Sequence, residues 1–73
     1  MTSLNNLRPG ARATVRYLTG GGQMRRRLQD IGVIEGTAIE CLGVSPLGDP
    51  AAYLIRGAVI ALRRKDASRI IVN

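Results

Sequence analysis

The sequence predicts an all-β fold with short helices, in a single domain that spans residues 1–73. The chain has 73 residues, which is the length of one small domain. Its apolar residues fall in short runs with the period of strands, and glycine or proline separates most of these runs. One clear helical period occurs, between Gly22 and Gly32. We therefore expect several short strands and one helix of functional interest.

The first half of the chain is predicted to hold one helical turn and one strand before this helix. Leu4 and Leu7 share a face at i and i+3, and the turn they predict ends at Pro9. Ala11 to Leu18 alternates between apolar and polar residues, which is typical of a strand with one solvated face. The side chains expected to face inward are Ala11, Ala13, Val15 and Tyr17.

The helix follows the glycine triplet Gly20–Gly22. Its apolar residues recur at i, i+4 and i+7 and are predicted to face the core; they are Met24, Leu28 and Ile31. Gly32 comes directly after this stripe, where a helix commonly ends with a glycine at positive φ. In such a Schellman ending, Leu28 would contact Val33.

The second half is predicted to contain four more strands, at Thr37–Val44, Ala51–Arg56, Ala58–Arg63 and Arg69–Val72. Two prolines in Ser45–Pro50 interrupt the strand pattern and predict an exposed loop. The link Arg56–Gly57 is short enough for a tight hairpin. Arg64–Ser68 is predicted to form a helical turn before the last strand.

The order of these elements is that of a small SH3-like five-stranded barrel with a helix in the first long loop. Thr19–Gly36 would occupy the place of the RT loop, Ser45–Pro50 that of the n-Src loop, and Gly57 the distal turn. We expect the sheet to close, because closure removes the exposed edges of five short strands.

Composition narrows the classes of function. The net charge is +6, and ten of the eleven basic residues are arginine. This balance indicates an acidic protein surface, an anionic membrane face or nucleic acid as partner. The chain has no histidine and a single cysteine, Cys41, so we expect no metal site, no cofactor and no nucleophilic catalytic set. A binding protein is therefore expected rather than an enzyme.

The sequence also indicates where the protein works. The longest uninterrupted apolar runs, Ala51–Ile55 and Ala58–Leu62, are far too short to span a membrane. Met1–Asn6 lacks the charged and apolar regions of a secretory signal. A lone cysteine fits a reducing compartment. We expect a soluble cytoplasmic protein.

Several short blocks occur together in the order and spacing of a known family. They are Leu4, Leu7, Gly10 and Val15, then Arg26–Leu28, Gly32–Val33 and Gly36, then Pro46–Pro50, Gly57, Ala61–Arg63, Ala67 and Ile70–Val72. From about residue 4 to residue 72 the chain resembles the FeoA family. The resemblance implies an SH3-like barrel and a cytoplasmic accessory protein of ferrous iron uptake. It also implies a partner, the FeoB-type membrane iron permease, which carries a GTPase domain.

Two groups of residues are the candidates for contact with this partner. They are Arg25, Arg26 and Arg27 on the helix, and Pro46, Leu47, Gly48 and Asp49 in the proline loop. The arginines would meet an acidic surface, and Leu47 would be the apolar tip of the loop. The two groups are expected to share one surface. The alternative is a solvated helix face with an Arg26–Asp30 ion pair, and a loop that is merely rigid.

A second class of function is a basic nucleic-acid-binding barrel, or a domain of the kind found at the C-terminus of iron-dependent repressors, which the FeoA fold resembles. The net charge favours it. Single-stranded nucleic acid is usually bound on aromatic platforms, however, and Tyr17 and Tyr53 are the only aromatic residues. We therefore expect no stable nucleic-acid complex, and at most a weak homo-oligomer.

Overall fold

Six strands form one sheet in a computed structural model that describes residues 1–73. The strands are β1 (Thr2–Ser3), β2 (Arg12–Leu18), β3 (Ala38–Val44), β4 (Ala51–Ile55), β5 (Ala58–Leu62) and β6 (Ile70–Val72). The helices are α1 (Gly22–Asp30) and α2 (Arg64–Ala67), and a 3₁₀ turn covers Leu4–Asn6. The strand order is β1-β6-β2-β3-β4-β5, and every neighbouring pair is antiparallel.

The all-β fold with short helices is confirmed, with two differences in the sheet. The first residues form a sixth strand, β1, which pairs with β6. Two residues are too few to show an alternating pattern, so the sequence gives no signal for this strand. The sheet is also open, since β1 and β5 lie at its two ends and do not pair with each other. The expected closure is wrong in this detail.

One apolar cluster forms the core, and side chains from β2 to β6 and from both helices enter it. The largest fully buried side chain is that of Tyr53 in β4. α1 contributes a single buried residue, Leu28, which is 2% exposed. The other members are Leu4, Ala13, Val15, Leu18, Val33, Ile39, Cys41, Ile55, Leu62, Ala67, Ile70 and Val72.

A β-bulge in β2 changes which side chains face the core. The pairing of β2 with β6 shifts register between Val15 and Tyr17. A bulge inserts an extra residue and reverses the alternation beyond it. Val15 is buried as predicted, but Tyr17 is 49% exposed and Leu18 takes the buried position. The inward orientation predicted for Tyr17 is therefore wrong.

The Schellman ending of α1 is confirmed. Gly32 has φ +101°, its N–H donates to the Gln29 carbonyl at 3.0 Å, and the Val33 N–H donates to the Leu28 carbonyl at 2.9 Å. The apolar stripe is shorter than predicted. Ile31 caps the helix and is 37% exposed, because the chain has already turned there toward the left-handed residue Gly32.

Two further contacts hold the chain after α1. The buried Thr37 hydroxyl donates to the Gly32 carbonyl at 2.9 Å and accepts from the Ile34 N–H at 3.3 Å.

The predicted hairpin turn between β4 and β5 has positive φ at both Arg56 and Gly57, as a type I′ turn requires. The Arg56 side chain lies directly against Gly32, so this turn covers the helix ending.

Candidate functional site

The three arginines of α1 have different environments. Arg25 is half-buried, and its guanidinium donates to the carbonyl of Leu18 at 2.9 Å. Arg26 and Arg27 are exposed. The Arg26–Asp30 ion pair of the alternative interpretation does not form, and the chain's one ion pair joins Arg12 to Glu40. Arg26 and Arg27 are therefore free for an external contact, whereas Arg25 holds the helix to the end of β2.

The glycine loop that precedes α1 is held by two arginines. Arg25 also donates to the Gly20 carbonyl, at 3.4 Å, and the Arg69 guanidinium lies against Gly20 where a side chain would otherwise stand. Thr19 donates its N–H to the Arg69 carbonyl at 2.7 Å. Gly20 has φ +77°, which favours glycine. The glycine triplet thus forms the turn that connects β2 to α1.

In the proline loop, Leu47 is almost fully exposed, whereas Asp49 stabilises the fold through a hydrogen bond. Leu47 is 94% exposed at the tip of a turn that the Gly48 N–H closes on the Ser45 carbonyl at 2.8 Å. Pro46 beside it is exposed, and Gly48 is half-buried. Asp49 accepts the backbone N–H of Arg64 at 2.8 Å, which satisfies a free donor at the beginning of α2. Its carboxylate is therefore partly committed to the fold.

A small cavity of about 60 Å³ lies behind this loop. Asn5, Asp49 and Tyr53 are among the residues that line it. The buried side-chain oxygen of Asn5 has no hydrogen-bond partner in the chain. Burial, followed by the nearby Cys41 and Asp49, raises the pKa of the Tyr53 phenol above its ordinary value. The phenol therefore stays neutral in the physiological range.

A groove beside α1 was not predicted from the sequence. Its volume is about 250 Å³, and the half-exposed side chains of Tyr17 and Ile34 line it together with Arg16, Arg25 and Glu35. Tyr17 reaches the groove because of the bulge in β2. Ile34 lies in the segment after the Schellman ending, where no period applies. The only indication of the groove in the sequence was the number of apolar residues in the short segment between α1 and β3.

The connectivity separates the two predicted groups. The segment after α1 leads into the beginning of β3, and the proline loop follows the end of β3. β3 has seven residues, so its ends are about 20 Å apart. The four cavities and grooves include none that residues of both loops line. A shared surface would therefore need a partner that reaches both ends of β3.

The comparisons with known proteins identify the family. A family model of the FeoA domain matches residues 2–73. The chain belongs to the FeoA family. Its fold agrees with solved relatives: the FeoA-like protein of Clostridium acetobutylicum is 32% identical with a TM-score of 0.92, over 99% of this chain and 84% of that one. The zinc-complexed FeoA of Stenotrophomonas maltophilia, an SH3 domain protein, is 23% identical with a TM-score of 0.88, over 100% and 91%.

A curated relative of this FeoA-family chain is much longer. It is the Fe(2+) transport protein A/Fe(2+) transporter FeoB fusion protein of Porphyromonas gingivalis, which is 35% identical over 70 residues. The match covers 96% of this chain but only 8% of the relative. Neither α1 nor α2 has the length and apolar composition of a membrane-spanning helix.

We predict that this FeoA-family chain binds no ferrous iron by itself at micromolar concentration. Cys41 is buried, and no three Cys, Asp or Glu side chains are grouped where they could hold a metal ion. A ferrous site needs several such ligands at once. Calorimetry under anaerobic conditions tests this directly. One tight site per chain would contradict the prediction, and its loss in Cys41→Ser would identify the thiol as a ligand.

Proposed function

We propose that the chain is a cytoplasmic, non-enzymatic accessory protein of ferrous iron uptake that docks on a FeoB-type permease through protein–protein contacts. The observation that carries the proposal is the fusion of FeoA-type and FeoB-type sequence in one relative. Two proteins that act together are often found joined in one chain. The basic surface and the exposed apolar loop tip support a binding role.

The permease-binding surface that we propose has an electrostatic part and an apolar part. Arg26 and Arg27 are exposed on α1 and have no acidic partner in the chain. They would speed the encounter with an acidic surface and fix its orientation, more than they would add affinity. Tyr17 and Ile34 offer apolar contact in the groove beside α1, which Arg25 and Gln29 of the helix also line.

Leu47 is the second contact that we propose. A leucine that is 94% exposed gains about 1.5–3 kcal/mol if a partner pocket buries it fully. Pro46 and Gly48 shape the turn that presents Leu47, so their proposed role is indirect. Asp49 would act mainly by keeping the loop against α2. The two contacts lie at opposite ends of β3 and require separate tests.

Two sets of variants test the contacts one at a time. We expect Leu47→Ala to weaken permease binding at least about tenfold in a pull-down titration, and to lower iron uptake in cells. We expect the double variant Arg26→Gln/Arg27→Gln to slow association and to reduce the salt dependence of binding. Arg25 stays unchanged, because its removal would release the end of β2.

A charge-matched control distinguishes a local contact from the loss of net charge. Arg8→Gln/Lys65→Gln also removes two positive charges, but from exposed positions outside α1. This control is expected to leave binding nearly unchanged. Full binding and uptake by both Leu47→Ala and the α1 double variant would refute the proposed surface. Equal losses in the α1 variant and in the control would leave only a general charge effect.

A further inference from the structure

The strand β5 is an open edge of the sheet. It pairs with β4 on one side, and no strand pairs with its other side. Its five residues, Ala58–Leu62, are all apolar and include neither a charge nor a proline. Natural sheets usually protect an edge with such residues, with a bulge or with a covering loop. The opposite edge, β1, has only two residues, so β5 is the one edge long enough to pair with another strand.

The register shows which backbone groups of β5 are free. Ile55 and Ala58 flank the two-residue turn and pair with each other. Hydrogen-bonded and non-bonded pairs alternate along an antiparallel ladder, starting from the bonded pair at such a turn. Ala58, Ile60 and Leu62 therefore bond to β4, and the N–H and C=O groups of Val59 and Ala61 point to the open edge.

The outer face next to this edge is apolar. Val59 is 67% exposed there, and Ala61 is exposed beside it. An adjoining groove of about 420 Å³ runs across β3, β4 and β5, and Leu42, Val44 and Ala52 line it together with Ala61. An added strand would place alternate side chains on this face, so the groove extends the edge into a surface for side chains.

The charged residues at the ends of β5 determine what kind of strand can pair with its open edge. Arg56 precedes the strand, and Arg63 and Arg64 follow it; all three are exposed and none has an ion-pair partner. A second copy paired antiparallel about Ile60 would bring Arg56 of each copy near the end of β5 in the other copy, where Arg63 and Arg64 follow. Like charges close together across a strand pair destabilise it, so the edge disfavours its own copy.

We propose that the β5 edge binds an extended segment of another protein by strand addition. The segment has an apolar, β-branched centre that pairs with Val59 and Ala61, and acidic residues at both ends that meet the flanking arginines. Backbone hydrogen bonds to Val59 and Ala61 would hold it, and the groove would select its alternate side chains. The surface contains none of the residues proposed above for permease contact, so the inference stands or falls separately from that function.

The probe for this site is a short capped peptide with alternating valine and threonine at its centre and glutamate at both ends. Titrated into the labelled chain, it should shift the amide signals of Val59 and Ala61 more than those of β2 and β6. A peptide with lysine in place of every glutamate is expected to bind at least about tenfold more weakly, and the difference should shrink in high salt.

Proline variants separate the backbone contact from side-chain contact. Val59→Pro removes an N–H that points to the open edge, so the bonds to β4 stay and the fold should persist. We expect it to weaken peptide binding about tenfold, whereas Val59→Thr keeps the N–H and should bind like the parent. If Val59→Pro does not fold, Ala61→Lys tests the same edge, since a lysine there blocks strand addition through its side chain.

Three outcomes would overturn the proposal. One is equal binding of the glutamate and lysine peptides, and another is unchanged binding by folded Val59→Pro or Ala61→Lys. The third is self-association in sedimentation that Val59→Pro abolishes, without any binding of the peptide, since the occupant of the edge would then be a second copy. The amide shifts together with loss of binding in the edge variants would support it.

Discussion

Replacing Leu28 with alanine is expected to lower the free energy of unfolding by about 2–5 kcal/mol. Leu28 is the one side chain of α1 that is fully buried. Truncation removes its apolar burial and leaves a cavity that the surrounding strands fill only in part. In a chain of 73 residues, a loss of this size is a large fraction of the whole stability.

Chemical denaturation of Leu28→Ala and of two matched variants measures this effect. Met24→Ala truncates a half-buried side chain packed against the core, and Gln29→Ala changes an exposed one on the same helix. We expect the losses to rank Leu28, Met24, Gln29. A Leu28→Ala variant as stable as Gln29→Ala would mean that α1 does not depend on the core for its position.

The same variant connects packing to the proposed function. α1 is attached at its beginning by the Arg25 hydrogen bonds and in its middle by Leu28. If Leu28 is lost and the sheet survives, the exposed Arg26 and Arg27 are no longer held at a fixed place. Permease association should then slow about as much as in the Arg26→Gln/Arg27→Gln variant, although both arginines are still present.

Most of the fold could be predicted because local rules govern it. The period of α1 and the glycine after it predicted the helix and its ending, and both hydrogen bonds of that ending form. The strand boundaries are also close, since glycine and proline stop the strands where local geometry requires. Two features could not be predicted, because they depend on pairing between distant segments. One is β1, which is a strand only because it pairs with β6, and the other is the bulge that turns Tyr17 outward.

In the candidate site, too, the features that local rules govern could be predicted, and those that depend on distant segments could not. Exposure of Leu47, Arg26 and Arg27 follows from a loop tip and from the outer face of a helix, and the structure agrees. The structural tasks of Arg25 and Asp49 depend on carbonyl and N–H groups in other parts of the chain, which a sequence does not bring together. Thr37 escaped prediction for that reason too, because its hydroxyl serves the turn that follows α1.

Replacing Gly32 with valine is expected to lower the free energy of unfolding by about 1–3 kcal/mol. Gly32 has φ +101°, where a β-branched side chain is strained. The Cβ atom of a side chain here would also collide with the Arg56 side chain that lies against the glycine. The collision involves the middle of the Arg56 side chain rather than its tip, so Arg56 must leave its place over the helix ending.

Gly36→Val is the control that separates the two causes. Gly36 also has positive φ, +90°, but a Cβ atom there would meet no atom within 4 Å. Both variants therefore carry backbone strain, and only Gly32→Val adds the collision, so it should melt at the lower temperature. The difference should shrink in a background of Arg56→Ala, because that change removes the obstructing side chain. Thermal melts of Gly32→Val that match the parent would show that the ending tolerates a side chain. Equal melts for Gly32→Val and Gly36→Val would attribute the whole cost to the backbone and none to Arg56.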